Sequence, residues 1–89
     1  MTIEQAVVDA LRILVPEGLP ADLTGETSPI DTLGLASIDG IEFAVLLEER
    51  LGVSLPEKAN PFVDDERRRA RTISSIVAWV GALGLARSA

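Results

Sequence analysis

Proline and glycine restrict the helical pattern of this sequence to three stretches. In residues 2–15, 38–51 and 73–83, apolar side chains recur at the three- and four-residue intervals that place them on one face of an α-helix. Proline or glycine directly follows the first two stretches, and we expect Gly84 to end the third. The sequence therefore predicts an all-α fold with three main helices.

The connection between the first two predicted helices is long for so short a chain. It covers residues 16–36 and contains apolar side chains at intervals: Leu19, Leu23, Ile30, Leu33 and Leu35. We expect these side chains to pack inward and hold the loop against the helices. Loops of this length in small domains are often functional.

A short helix near residues 63–70 is the fourth predicted element, although residues 57–71 could also be irregular. The complete prediction is a small four-helix bundle, with three main helices, one short helix and a long first loop. With 89 residues, the chain is long enough for one core and too short for two, so we expect a single domain over residues 1–89. Aromatic residues are only 3% of the chain, so this core must be aliphatic.

The sequence has neither histidine nor cysteine. This composition excludes a Ser-His-Asp triad, a histidine base, the usual zinc sites and disulfide bonds. It does not by itself exclude a pair of catalytic carboxylates. We expect a protein that is not an enzyme, with no catalytic residues and no metal site.

Membrane and secretory segments are not expected. No apolar run approaches the roughly 18 residues of a membrane-spanning helix. The first residues, Met-Thr-Ile-Glu-Gln, lack the basic and then apolar pattern of a secretory signal. We therefore expect a cytoplasmic protein, and we expect it to be a monomer.

Charge is distributed unevenly along the chain. All 14 acidic residues lie in residues 1–66, together with three of the eight basic residues, and the other five basic residues lie in residues 67–89. An acidic body repels nucleic acid and attracts partners with basic patches. We interpret the cluster Arg67–Arg71 as a solvated charged face, so nucleic acid is not an expected partner.

Helix 38–51 has two distinct faces. Phe43, Leu47 and Leu51, with Ala44 beside them, form a face suited to the core. The other face, here called the outer face, mixes aliphatic and acidic side chains: Ile38, Ile41, Glu42, Val45, Glu48 and Glu49. We interpret it as a docking surface for partner proteins. The alternative is that Ile38 and Ile41 only cover apolar side chains of the loop.

A serine stands directly before this helix. Ser37 is preceded by Leu33-Gly34-Leu35-Ala36 and followed by Ile38, and the helix runs out into Leu51-Gly52-Val53-Ser54-Leu55-Pro56. Ser37 could be simply the N-cap, with its hydroxyl accepting a backbone N–H. That role does not account for the flanking Leu-Gly-Leu or for the mixed outer face.

These motifs resemble those of the acyl carrier protein family, the small four-helix domains that bind phosphopantetheine. The family pattern is Leu-Gly-x-Asp-Ser-Leu before the second helix and a Gly-Val-x-Leu-Pro exit after it. The attachment motif alone is only moderately specific, but the resemblance in spacing, helix order and acidity covers essentially the whole chain.

The resemblance implies that Ser37 carries 4′-phosphopantetheine through a phosphodiester, and that the thiol of this arm holds an acyl group. It implies as partners a phosphopantetheinyl transferase and acyl-loading, condensing and acyl-transfer enzymes with basic patches. A phosphodiester on Ser37 would lie at a helix N-terminus, where unpaired N–H groups and the helix dipole favour negative charge.

Two departures from the family pattern bear on the pathway. Ala36 stands where most fatty-acid carriers have Asp, a residue expected to contact the transferase, and the segment between Pro56 and Thr72 is several residues longer. The chain could serve a fatty-acid-like, polyketide or other secondary-metabolite pathway. Alternatives are a peptidyl or amino-acyl carrier, and an unmodified helical adaptor with the same fold.

Overall fold

Three α-helices and a minimal β-hairpin make up the structure. The computed structural model describes residues 2–56 and 59–88, with side chains described as far as Leu83. Its elements are listed here in chain order: α1 (Ile3–Leu14), α2 (Asp39–Leu51), β1 (Val63–Asp64), β2 (Arg69–Ala70) and α3 (Ile73–Ser88). The prediction of a mostly helical small globule with three main helices is confirmed.

Helix α1 begins with the capping box that its sequence encodes. The Thr2 hydroxyl accepts the backbone N–H of Gln5 at 3.1 Å, and the Gln5 side chain accepts the backbone N–H of Thr2 at 2.8 Å. Two N–H groups that the first turn would otherwise leave unpaired are thereby satisfied. The helix then packs its apolar face, centred on Val7 and Leu11, against both α2 and α3.

Removing the Thr2 hydroxyl by substitution to alanine measures how much this cap contributes to the stability of the protein. We expect Thr2→Ala to lower the free energy of unfolding by about 1 kcal/mol, because one cap hydrogen bond is lost. Urea denaturation followed by circular dichroism gives the value. Ser54→Ala, at an exposed position outside the helices, is the control and should change stability by less than about 0.5 kcal/mol. Equal stabilities for the two variants would contradict the capping role.

The core lies where the three helices and the loops meet. Its fully buried side chains include Phe43 and Leu47 of α2, so the predicted core face of this helix is confirmed. The apolar residues predicted to hold the long loop are partly buried against the same core: Leu19, Leu23, Ile30, Leu33 and Leu35. Backbone hydrogen bonds also tie the loop to the start of α3, from Ile73 N–H to the Thr27 carbonyl and from Ser74 N–H to the Gly25 carbonyl, each at 2.9 Å.

The prediction of a short helix near residues 63–70 is wrong, because this segment forms the β-hairpin instead. Val63 pairs with Ala70 and Asp64 with Arg69 in antiparallel register. The Asp64 carboxylate accepts two backbone N–H groups of the turn, from Glu66 at 3.2 Å and from Arg67 at 3.3 Å. This Asx-type turn competes with a helix for the same N–H groups. Residues 57 and 58, where the predicted irregular segment starts, lie outside the described residues.

Helix α3 begins as predicted and ends later than predicted. Thr72 accepts the Ser75 N–H through its hydroxyl at 3.2 Å, which confirms it as the N-cap. The helix continues through Gly84 to Ser88, so the prediction that Gly84 ends it is wrong. Leucine, alanine and arginine follow this glycine, and they are among the best helix formers. In the part of the chain that the structure describes, no helix is long and apolar enough to cross a bilayer.

Candidate functional site: the turn that carries Ser37

A tight turn connects the long loop to α2. It comprises residues 36–41 and is called here the Ser37 turn. Its backbone N–H groups at residues 39, 40 and 41 each donate to the carbonyl three residues earlier, at 3.0 to 3.1 Å. The chain enters this turn through Gly34, whose φ of 73° lies in the left-handed region that glycine adopts readily. The first turn leading into α2 is therefore wound more tightly than an α-helix.

Ser37 is exposed and its hydroxyl does not cap the helix. α2 begins at Asp39, one residue later than predicted, and no side chain caps its N-terminus from the preceding residue. The carboxylate of Asp39 instead accepts the backbone N–H of Ala36 at 2.9 Å, which closes the turn around Ser37. The interpretation of Ser37 as a simple N-cap is therefore wrong, because the turn is stabilised by other groups.

The expectation of unpaired N–H groups at this helix end needs correction. The amides of Asp39, Gly40 and Ile41 already donate to backbone carbonyls within the turn. A negative group on Ser37 would still lie at the positive end of the α2 dipole. The site fits a covalently attached phosphodiester, because the Ser37 hydroxyl that would bear it lies on an exposed residue and does not cap α2.

Asn60 holds the Ser37 turn from outside the helix. Its side-chain amide donates to the backbone carbonyl of Ser37 at 2.6 Å, across 23 positions of sequence. The amide oxygen of Asn60 accepts the backbone N–H of Phe62 at 2.9 Å. Phe62 is fully buried, and its ring centroid lies 4.8 Å from that of Phe43 in α2. The Ser37 turn is thus connected to the core by a segment that follows α2 in the chain.

The outer face of α2 is mostly exposed. Ile38, Ile41 and Val45 expose 71%, 62% and 48% of their surface, so they do not merely cover loop residues. Glu42 and Glu49 are exposed on the same helix. Glu48 differs from them, because it is partly buried and its carboxylate accepts the backbone N–H of Leu55 at 2.8 Å. Glu48 therefore holds the chain that leaves α2.

The arginine cluster separates into two parts. Arg67, Arg68 and Arg69 are exposed at the hairpin, as the interpretation of a solvated charged face predicts. Arg71 is partly buried and does not fit that interpretation. Its guanidinium carbon lies 4.7 Å from the ring centroid of Trp79, and its Nε donates to the Val63 carbonyl at 3.3 Å. It joins the hairpin to α3 through a cation–π contact and a hydrogen bond.

Comparisons with known proteins agree with this arrangement. The chain is 28% identical over 80 residues to an acyl carrier protein of Thermobifida fusca, a match that covers 86% of this chain and 92% of that protein. It is 29% identical over 80 residues to the meromycolate extension acyl carrier protein of Mycolicibacterium aurum, covering 86% and 75%. A third match, to the protein of that name from Mycobacterium bovis, is 31% identical and covers 68% and 47%.

The fold is a small, mostly helical globule, and the matches are to proteins named as acyl carriers. Over most of its length the chain is similar to acyl carrier proteins, the family that its sequence motifs resemble. Acyl carrier proteins are non-catalytic carriers, which agrees with the expectation that the chain is not an enzyme. No protein-family profile matches the chain, and no solved structure is significantly similar to it.

Sequence reasoning missed three contributors to this site. Asp39 and Gly40 stood in a helix without an assigned role, and Asn60 stood in the longer segment after Pro56. A glycine near the start of a strongly predicted helix was a usable signal, because glycine lowers helix stability and needs a reason there. The partner of that glycine could not be read from the sequence, since the contact joins segments far apart in the chain.

Proposed function

We propose that residues 1–89 form a single carrier domain that bears 4′-phosphopantetheine on Ser37 and presents acyl groups to partner enzymes in the cytoplasm. One observation carries the proposal. Ser37 is exposed in the turn before α2, and its hydroxyl has no capping role, in a chain whose relatives are acyl carrier proteins. When bound, the arm would supply the thiol that holds the acyl group as a thioester.

The role of Ser37 in gaining this arm is that of an acceptor. Its Oγ would attack the phosphorus of coenzyme A that bears the pantetheine unit. An Oγ–P bond forms, the P–O bond to the adenosine-bearing phosphate breaks, and adenosine 3′,5′-bisphosphate leaves. We propose that the hydroxyl proton passes to a base of the phosphopantetheinyl transferase or to water. The chain has no histidine or cysteine, and the Asp39 carboxylate in this turn already accepts the Ala36 N–H.

The outer face of α2 is the proposed docking surface for the transferase and for acyl-loading, condensing and acyl-transfer enzymes. Ile38, Ile41 and Val45 give it an exposed apolar stripe that can enter a groove on a partner. Glu42 and Glu49 lie beside this stripe and can pair with basic residues at the rim of such a groove. Glu48 belongs to the proposed surface only through the part of its side chain that stays accessible.

The proposed cargo is an acyl group rather than an amino-acyl group. The relatives reported above are named as acyl carriers, and two of them are named for the extension of meromycolate. The acidic balance of the chain also favours this cargo over a peptidyl or amino-acyl one. A fatty-acid-like, polyketide or other secondary-metabolite pathway is the proposed context.

An intact-mass measurement tests the proposal. The purified protein is incubated with coenzyme A and a broad-specificity phosphopantetheinyl transferase, and its mass is then recorded. We expect a single phosphopantetheinyl increment. A folded protein that gains no increment would favour the alternative function, an unmodified helical adaptor that binds a partner through α2.

Ala36 offers a test of transferase recognition. Ala36 is exposed beside Ser37, at the position where most fatty-acid carriers have Asp. We expect Ala36→Asp to raise the rate of modification by a fatty-acid-type transferase several-fold, because charges at an interface rim act mainly on association rate. The rate is measured by mass spectrometry over time, with circular dichroism to confirm an unchanged helix content. An unchanged or lower rate would show that this position does not determine recognition.

A further inference from the structure

Asn60 is bonded at both ends of its side-chain amide, and each bond reaches a different part of the molecule. Nδ2 donates to the Ser37 carbonyl at 2.6 Å, and Oδ1 accepts the Phe62 N–H at 2.9 Å. Phe62 is fully buried against Phe43. The side-chain amide of Asn60 therefore links the backbone of Ser37 to that of a residue fixed in the core.

Gly40 makes room for this side chain. It lies on the buried side of α2, in the first turn of the helix. A Cβ built at this position would overlap the side-chain amide of Asn60. Glycine is a poor helix former, and nothing in its backbone conformation requires it here, since its φ is not among the positive ones. The contact with Asn60 explains why this helix carries a glycine at this point.

Asn60 and Gly40 also share an acceptor. The Gly40 N–H donates to the Ser37 carbonyl at 3.0 Å, the same oxygen that accepts from Asn60. Two donors thus fix the peptide plane that follows Ser37. Because this carbonyl belongs to the residue that bears the hydroxyl, holding it limits the directions in which the hydroxyl can point.

We propose that Asn60 is a positioning residue for the modification of Ser37. It holds the Ser37 turn in the geometry in which the Ser37 hydroxyl meets coenzyme A in the transferase. This inference rests on the proposed attachment at Ser37, and the chemistry is the transfer written above, with coenzyme A as the donor and adenosine 3′,5′-bisphosphate as the leaving group. Asn60 does not touch the reacting atoms and acts through the Ser37 backbone.

Two substitutions of Asn60 separate positioning from simple packing. Asn60→Ala removes both hydrogen bonds. Asn60→Asp keeps an acceptor for the Phe62 N–H and replaces the donor that faces the Ser37 carbonyl with a carboxylate oxygen. A residue that only stabilised the segment through Phe62 would tolerate Asp. If Asn60 positions Ser37, the Asp substitution should impair modification, because the donor to the Ser37 carbonyl is lost.

The kinetic test measures kcat and KM for the transferase, with each carrier variant as the varied substrate. We expect both Asn60 variants to lower kcat by about ten- to hundredfold, because small misplacements of a reacting group are costly. KM for the carrier should stay within about twofold, because Glu42, Val45 and Glu49 of the proposed docking surface lie beyond the Ser37 turn. Wild-type kcat in the Asp variant would overturn the inference.

Gly40 supplies an independent variant. We expect Gly40→Ala to displace Asn60 and to lower kcat as Asn60→Ala does. In the Asn60→Ala background, Gly40→Ala should cause no further loss, because the space for the Cβ is then open. Gly81→Ala is the matched control, since a Cβ on that helical glycine would meet the Ile3 side chain at an ordinary 3.6 Å. Additive losses from the Asn60 and Gly40 substitutions would contradict the shared contact.

Amide hydrogen exchange of the unmodified protein tests the same contact without the transferase. We expect the Gly40 N–H, which donates to the Ser37 carbonyl, to exchange at least about tenfold faster in Asn60→Ala and Asn60→Asp than in the wild type. Exchange within α1 should be unchanged. Unchanged exchange at Gly40 in the two variants would overturn the inference about Asn60. If exchange at Gly40 is faster in the variants as expected, but the wild-type protein gains no arm, the proposed attachment at Ser37 is overturned instead.

Discussion

Ser37→Ala is expected to abolish modification by the transferase while leaving the fold intact. The hydroxyl is the only group that the proposed transfer can use at this position, so its loss should remove the whole mass increment rather than slow its appearance. Intact-mass spectra of the wild type and the variant after the same incubation with coenzyme A and transferase check this expectation. A folded variant that still gains one increment would place the arm on another residue.

Stability decides whether that result can be interpreted. From the sequence alone, Ser37→Ala would be expected to lose a helix cap worth about 1 kcal/mol. The structure removes this expectation, because the Asp39 carboxylate and the Asn60 amide hold the turn while the Ser37 hydroxyl caps nothing. We expect a change in unfolding free energy of less than about 0.5 kcal/mol, as for ordinary surface substitutions.

The second large effect is expected from reversing charge on the outer face. Glu42 and Glu49 are exposed there, beside the apolar stripe that includes Ile41. We expect the double variant Glu42→Lys, Glu49→Lys to slow arm installation by about tenfold at low salt, because a basic partner would then be repelled during encounter. The difference should shrink as salt rises, since ions screen exposed charges beyond about 8 Å at physiological ionic strength. Initial rates at several salt concentrations give the result.

A charge-matched variant separates the face from the overall charge. Glu17→Lys, Asp22→Lys makes the same change in net charge at two exposed positions of the long loop. It should leave the rate within about twofold of the wild type, since steering depends on charge near the contact. Glu48 is kept in both variants because its carboxylate holds the Leu55 N–H. Equal slowing of the two double variants would show that the outer face has no special role.

Features that depend on neighbouring residues were predictable from the sequence. The cap of α1 by Thr2 and Gln5, the buried face of α2 around Phe43 and the cap of α3 by Thr72 all follow from residues within a few positions. The position of Ser37 before α2 also followed from a local motif. Helical periodicity and capping act over one or two turns, so a single sequence contains them.

Features that depend on contacts between distant segments were not predictable. Asn60 meets Ser37 across 23 positions, and no spacing rule connects the two. The sequence of the charged segment before α3 is compatible with a helix or a turn. The Asp64 carboxylate stabilises the turn by accepting two backbone N–H groups. The position of Arg71 over Trp79 depends in turn on that hairpin. The distinction between Glu48 and Glu49 likewise required the path of the chain after Gly52.

Locating the phosphopantetheine arm by peptide mapping tests the account most directly. The protein treated with coenzyme A and transferase is digested with trypsin, which releases the fragment from Ile13 to Arg50, and this fragment is sequenced by tandem mass spectrometry. The account predicts the increment on Ser37 and on no other hydroxyl of the fragment, which also contains Thr24, Thr27, Ser28 and Thr32. An increment on one of those residues, or none on a folded protein, would contradict it.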